Sequence, residues 1–184
     1  MLGKFKFGVD VKNKGSKNAG ASNSVMLFGW SFGIFVGFID MLKAYLPMLI
    51  IFLMYPNNEE ALFLASLAGG GAILGHIFPF FMNFNGGKGM SCYFGMLVGF
   101  NLLFGVVVFV LGGILIAITN YVAVATIIIL VSVPLFLHFF CITLDSNLII
   151  SISILSALII IKHIENIFKI VKGTENTFWS VFKK

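Results

Sequence analysis

Three long apolar runs, residues 25–54, 92–118 and 121–140, dominate the chain, and two shorter ones cover 61–74 and 148–161. None of them alternates polar with apolar positions, so the period-two signature of a strand is missing and each run reads as helix. Crossing a hydrocarbon core of about 30 Å takes around 20 helical residues, which the three long runs supply. Backbone groups in lipid must find partners within their own segment. The pattern therefore predicts an all-α, polytopic bundle of about six transmembrane helices, not a barrel, forming a single membrane-embedded domain over residues 1–184 without internal repeats.

Composition sharpens this. The 184 residues are 59% hydrophobic and only 10% charged, and the mean hydropathy is +1.06, against roughly a quarter charged residues in a soluble domain. The net charge of +5 comes from lysine alone, because no arginine is present. Lys4, Lys6, Lys12, Lys14 and Lys17 crowd the N-terminal arm; Lys162, Lys169, Lys172, Lys183 and Lys184 crowd the C-terminal one. In a chain this apolar a basic excess sets membrane orientation and does not imply nucleic acid, and the positive-inside rule puts both arms in the cytoplasm. The lysine-free stretch Tyr55, Pro56, Asn57, Asn58, Glu59 and Glu60 suits the outer face. Cys92 and Cys141 stand singly in apolar surroundings, without metal-type spacing, and read as small buried hydrophobes. No signal peptide precedes the basic arm, so insertion is expected to begin with the helix after Asn23.

Four polar islands interrupt this background. The first, residues 15–23, holds Gly15, Ser16, Lys17, Asn18, Gly20, Ser22 and Asn23 directly before a helix, where free backbone N–H groups face an anion. Capping by Ser22 or Asn23 accounts for only one or two of these residues. The second is Asp40 and Lys43, three apart on one helix face and suited to pair, with Pro47 four residues beyond, where a kink is expected.

The third island, residues 75–89, places Gly75, His76, Pro79 and Asn83 before Gly86, Gly87, Lys88 and Gly89. Glycines around one lysine let the backbone approach a ligand closely, and the helix starting at Met90 points its N-terminus at the same spot, so the island reads as a phosphate cradle. It is not a Walker A loop, because Gly89 follows Lys88 where Ser or Thr is required, and neither nucleotide nor magnesium is implied. In the fourth island, His163, Asn166 and Lys169 recur every third residue and are expected to line one side of a helix at the membrane surface. Gly173 should end that helix as its C′ residue, leaving Glu175 in a turn. His138 reads as interfacial packing, and the glycine runs 69–71 and 112–113 read as sites of close helix contact.

Together these islands resemble the motifs of the bacterial acyl-phosphate:glycerol-3-phosphate acyltransferases, the PlsY family. Its Gly-Ser-x-Asn-x-Gly-Ala-Thr/Ser-Asn loop looks like residues 15–23, and its Asp-x-x-Lys with a following proline looks like Asp40, Lys43 and Pro47. Its Gly-His-x-Phe-Pro segment running into Gly-Gly-Lys-Gly looks like residues 75–89, and its closing His-x-x-Asn-Ile-x-Arg with Gly-Thr-Glu looks like residues 163–175. The resemblance implies attack of the glycerol-3-phosphate 1-hydroxyl on a fatty acyl phosphate, giving lysophosphatidate and phosphate. It implies no metal and no cofactor, a bacterial cell-membrane location and a cytoplasmic active site. It assigns catalysis to Ser16, Lys88, His163 and Asn166. Substrate or phosphate binding falls to Gly15, Lys17, Asn18, Asn23, His76, Gly86, Gly87, Gly89, Lys169 and Glu175. The acceptor's own phosphate is the expected proton sink, with His163 the one protein alternative.

The chain departs from the family pattern in three ways. The family's additional helix before the first loop is expected to be missing, the arginine three residues after the loop's last asparagine falls on Met26, and the arginine of the last motif falls on Lys169. Lysine keeps the charge but not the bidentate fork, and methionine keeps neither; Lys17, where the family commonly has glycine, is a candidate to compensate. Three readings follow from a different weighting of these departures: a silent relative that binds phospholipid precursors or scaffolds partners, an acyltransferase for another phosphorylated acceptor, or, least supported, a small transporter. Topology adds a puzzle. An even number of spans must separate the Gly-Gly-Lys-Gly loop from His163, yet three apolar runs lie between them, so either four shorter helices fill residues 92–161 or one run is re-entrant.

Overall fold

The computed structural model describes residues 2–56, 58–141 and 145–180; Asn57, Lys183 and Lys184, assigned above to the outer loop and the C-terminal arm, lie outside them. The described residues form eight α-helices and no strand: α1 (Leu2–Phe7), α2 (Ala21–Phe28), α3 (Trp30–Met54), α4 (Ala61–Ile77), α5 (Met90–Phe100), α6 (Leu102–Thr119), α7 (Val122–Phe140) and α8 (Ser146–Val171). Five stretches are long and apolar enough to cross a membrane, namely Trp30–Met54, Ala61–Met82, Leu102–Thr119, Val122–Phe140 and Ser146–Val171. The 11-residue α5 is about 16 Å long and reaches roughly halfway through the hydrocarbon. Five full spans and this half-span match the expected count.

Two apolar runs that look continuous in the sequence are broken. The first folds back at Gly29, whose φ of 87° lies in the left-handed region and lets α3 run antiparallel to α2. That reversal is tight: a Cβ on Gly33 of α3 would lie 2.1 Å from the Val25 side chain of α2. The second run breaks at Asn101, an extended residue whose Oδ1 accepts from Phe104 N at 2.9 Å and caps α6. Hydropathy alone does not register either break. The break at Asn101 resolves the parity puzzle, because four helices, α5 to α8, then separate the Gly-Gly-Lys-Gly loop from His163. α5 descends from that loop, α6 returns beside it, and α7 and α8 make one further round trip.

The core lies where α3, α4, α5 and α8 meet. Ala44, Met48, Ile73, Ile77, Tyr93, Met96, Leu97, Ile152 and Ile159 are nearly or fully buried there. Close approach uses glycine, as expected for residues 69–71: a Cβ on Gly69 would come within 2.8 Å of Met48 Sδ, and one on Gly70 within 3.1 Å of Leu155. Gly71 meets nothing within 4 Å. Gly112 lies against Ile129 in the same way, whereas Gly113 is open. Below the loop, Tyr93 Oη and Ser156 Oγ satisfy each other at 2.9 Å inside this dry region. By contrast α6 exposes Leu102, Leu103, Phe109, Val110, Ile114 and Ile118, the pattern of a lipid-facing helix. Cys92 is buried and Cys141 half-buried, both as free thiols, and His138 packs edge-on against Phe139.

Candidate active site

The loop of residues 78–89 is folded back on the end of α4. Gly86 N donates to Ile77 O at 3.0 Å and Gly87 N to His76 O at 3.1 Å. Gly87 lies directly over the His76 ring, so close that a Cβ there would sit 2.0 Å from Nε2. The ring is fixed from below, because its Nδ1 is 3.4 Å from Asp40 Oδ1 on α3, and Lys43 Nζ donates to the same oxygen at 2.7 Å. The Asp40–Lys43 pair read from the sequence is thus present, and its buried carboxylate also orients His76. Gly89, with φ of 95°, packs between Ile77 and Ile159 and turns the chain into α5. No side chain caps α5, so its first N–H groups stay open to an anion beside Lys88.

Lys88 extends from this loop to α8, where its ammonium donates to Asn166 Oδ1. Asn166 Nδ2 in turn donates to Glu175 Oε1 at 2.7 Å. Lys88 is half-buried, and burial pushes its pKa below the ordinary 10.5; the charges of Glu175 and Glu165 counter that in part, while Lys169 adds to it. His163, one turn earlier on α8, is buried. Its Nδ1 lies 2.8 Å from Ile159 O. A carbonyl can only accept, so Nδ1 carries the hydrogen and Nε2 keeps its lone pair in the neutral ring. After Val171 the chain turns at Gly173, with φ of 67°. Thr174 N donates to Lys169 O at 2.8 Å and Gly173 N to Ile170 O at 2.9 Å, the Schellman pattern anticipated for Gly173.

The three-residue spacing of His163, Asn166 and Lys169 does not keep them on one line. Six residues at 3.6 per turn leave the last about 120° from the first. Lys169 accordingly turns outward and pairs with Glu165 at 2.6 Å.

The first loop is built around Asn23, which is 1% exposed. Its Oδ1 accepts from Ser16 N at 2.9 Å, and its Nδ2 faces the carbonyl oxygens of Val11, Lys14 and Asn18 at 2.9, 3.1 and 2.9 Å. Asn23 therefore shapes the loop from inside. A Cβ on Gly15, which has φ of 62°, would lie 2.2 Å from Asn23 Oδ1. Neither Ser22 nor Asn23 caps α2. Its N-cap is Gly20, without a side-chain bond, so the helix starts two or three residues earlier than expected and leaves its first amides open. Ser16 and Lys17 are exposed and Asn18 half-exposed on the loop's outer side; Lys17 holds φ of 57°.

Two contacts join this loop to the phosphate cradle. Lys12 Nζ donates to Met82 O at 3.0 Å. At Gly37 of α3, a Cβ would lie 3.3 Å from Ala21 Cβ and 3.9 Å from Ser91 Oγ, so the open N-termini of α2 and α5 meet over one glycine. Lys12 carries no motif signal, and only the folded chain reveals its contact. The remaining surprise is α1, a short helix in the basic arm whose Phe7 ring stacks on Phe28 at 4.5 Å.

Comparison with known proteins places this arrangement. The sequence model of the family described as glycerol-3-phosphate acyltransferase matches residues 1–173, leaving the last 11 residues (184 minus 173) outside. A glycerol-3-phosphate acyltransferase of Chlorobaculum parvum is 35% identical over 96% of this chain and 88% of the relative. Glycerol-3-phosphate acyltransferase 1 of Oceanobacillus iheyensis is 32% identical over 100% and 89%. The crystal structure of PlsY (YgiH), an integral membrane glycerol 3-phosphate acyltransferase, in its glycerol 3-phosphate form superposes with a TM-score of 0.84 at 33% identity, covering 96% of this chain and 86% of that one. Its lysophosphatidic acid form gives 0.76 at 31% identity, over 92% and 85%. With its fold and nearly its whole length in common with these proteins, the chain is an integral membrane protein that belongs to the glycerol-3-phosphate acyltransferase family.

Proposed function

We infer that this chain, as a single membrane-embedded domain, transfers a fatty acyl group from an acyl phosphate to the 1-hydroxyl of sn-glycerol-3-phosphate. The observation that carries the reading is the placing of Lys88. It is half-buried, bonded to Asn166, and set beside the uncapped N-terminus of α5. A cation and several oriented amides in a partly dry site stabilise the oxyanion that forms when a hydroxyl attacks an acyl carbon. The acceptor oxygen bonds to the acyl carbon, and the bond from that carbon to the phosphate oxygen breaks. The electron pair leaves on inorganic phosphate, and the product is lysophosphatidate. The donor is an activated mixed anhydride, so positioning two anions supplies most of the rate and the chemistry asks for neither metal nor cofactor.

In this scheme the Lys88 ammonium, the Gly89 amide and the first open amides of α5 hold the donor phosphate. The amides of Gly86 and Gly87 already donate to Ile77 O and His76 O, so these two glycines shape the cradle over His76 and do not donate to the phosphate. Ser16, Lys17 and Asn18 face the acceptor phosphate, while Gly15 and Asn23 set the shape of their loop. Nε2 of His163 orients the attacking hydroxyl, whose proton passes to the acceptor's own phosphate. Asn166 aligns Lys88, Glu175 braces Asn166, and Lys169 adds positive potential at the rim. The bacterial origin of the relatives supports a bacterial cell membrane, and the lysine bias of both arms supports a site facing the cytoplasm.

The test is formation of lysophosphatidate and phosphate by purified protein in detergent from palmitoyl phosphate and glycerol-3-phosphate. Palmitoyl-CoA replaces the donor in a second arm and dihydroxyacetone phosphate the acceptor in a third. Product from palmitoyl phosphate and glycerol-3-phosphate alone supports the reading. Equal rates with palmitoyl-CoA overturn the donor assignment, and equal rates with the third arm's acceptor overturn the acceptor assignment.

A further inference from the structure

Over residues 176–180 the chain stays on the bundle. Two consecutive amides of the tail bond to one residue, Asn120, in the turn between α6 and α7: Phe178 N donates to Asn120 O at 2.8 Å and Trp179 N to Asn120 Oδ1 at 2.9 Å. The Trp179 indole Nε1 adds a bond to Ala117 O at 3.3 Å. The Phe178 ring meets Trp30, at the start of α3, edge-on at 5.6 Å. Asn120 can receive both amides because it sits in the left-handed region, with φ of 62°, as the C-cap of α6. Phe178 lies three positions beyond Glu175, a reach of at most about 11 Å. On its other side Glu175 N is tied to Lys169 O at 3.2 Å. The carboxylate that holds Asn166 is therefore fixed from both directions.

We propose that Asn120 and the tail residues Phe178 and Trp179 form a latch that keeps Glu175 on Asn166, and through it Lys88 in its working position. Asn120 is then a positioning residue for acyl transfer, and the inference rests on the acyltransferase reading above. The latch predicts a pH signature that mere structural damage would not give. The charged and titratable groups around Lys88 are Glu175 on the tail, Glu165, Lys169 and His163 on α8, and His76, Asp40 and Lys43 beneath the loop. Glu175 is the largest of the influences that favour the Lys88 ammonium. Releasing the tail draws that carboxylate away and moves the alkaline limb of the rate profile to lower pH.

The test uses full-length protein carrying Asn120→Gly, which keeps the left-handed backbone unstrained and removes only the side-chain acceptor. Asn120→Asp, which restores an acceptor oxygen, is the rescue. The loss of one net hydrogen bond corresponds to roughly a fivefold change. The expected result for Asn120→Gly is a kcat lower by about that factor at nearly constant KM, an alkaline limb moved to lower pH, and return toward wild type in Asn120→Asp. Glu175→Gln should move the limb the same way, and adding Asn120→Gly to it should move it no further. In a Trp30→Phe background, Trp179 emission reports docking and should shift toward that of a solvated indole in Asn120→Gly. Unchanged emission, or wild-type kcat and limb despite a shifted emission, overturns the latch. Absence of turnover in the wild type overturns the acyltransferase reading instead and leaves the emission to decide whether Asn120 holds the tail.

Discussion

Gly87→Ala puts a single methyl group into the tightest contact of the site. The added Cβ would sit 2.0 Å from His76 Nε2, 2.7 Å from Cε1 and 3.0 Å from Cδ2. Ordinary contact begins at 3.4 Å, so loop and ring must separate by about 1.4 Å. The ring cannot yield freely, because its Nδ1 faces Asp40 and its backbone oxygen holds Gly87 N. The loop moves instead, taking the neighbouring Lys88 and the N-terminus of α5 with it. A displacement of about 1 Å in positioned groups costs on the order of 100-fold in rate, or about 2.7 kcal/mol of barrier. Overpacking of this kind lowers stability by about 1–3 kcal/mol. The assay is phosphate release from palmitoyl phosphate with saturating glycerol-3-phosphate, alongside an apparent melting temperature in the same detergent. Gly71→Ala is the control, since its Cβ meets nothing within 4 Å on α4; it should keep full activity and gain up to about 1 kcal/mol. Wild-type kcat and KM in Gly87→Ala would refute the claim that this loop positions the reacting groups.

Three further outcomes follow from the geometry. Asn23→Ala removes the centre of the first loop and should lower stability by about 3 kcal/mol, at about 1 kcal/mol for each of three net hydrogen bonds, with activity lost along with the loop; thermal unfolding checks the first and turnover the second. Lys88 acts as a cation with its pKa depressed by burial, so the rate should fall with rising pH at a value below 10.5. The linked stability runs the other way, rising through that window because the unfolded chain holds the proton more tightly, and Lys88→Arg should abolish the alkaline limb of the pH–rate profile. For topology, single cysteines at Lys14 and Glu59 in intact cells should react oppositely with a membrane-impermeant maleimide, Glu59→Cys labelling from outside and Lys14→Cys only after lysis; the reverse pattern overturns the assigned orientation.

Much of this architecture is legible in the sequence because membrane chemistry leaves few choices. Apolar runs had to be helices, and polar residues kept beside them, such as Lys88, Asn166 and Glu175, converge in the fold. Local backbone signals were equally readable: Gly173 closes α8, and Asp40 pairs with Lys43 across one helical turn. The breaks at Gly29 and Asn101 were hidden because one residue among many apolar ones barely changes hydropathy, although a capping asparagine inside an apolar run is a signal that could have been weighed. Three-residue periodicity overstated the alignment of Lys169 with His163, since helical drift carries it round to Glu165. The inward role of Asn23 depends on how the preceding loop wraps around it, and the link from Lys12 to Met82 and the docking of the tail on Asn120 depend on contacts between distant segments. Nothing in local composition encodes them.

The central claim is that Lys88 supplies the charge for acyl transfer from acyl phosphate to glycerol-3-phosphate. The most direct measurement is turnover of those two substrates by the purified wild-type protein and by Lys88→Ala, with folding of both verified by melting. The account predicts coupled appearance of lysophosphatidate and phosphate in the wild type, reduced by on the order of 100-fold to 1,000-fold in the variant. Well-folded wild-type protein that makes no product, or a Lys88→Ala variant that keeps wild-type turnover, would contradict it.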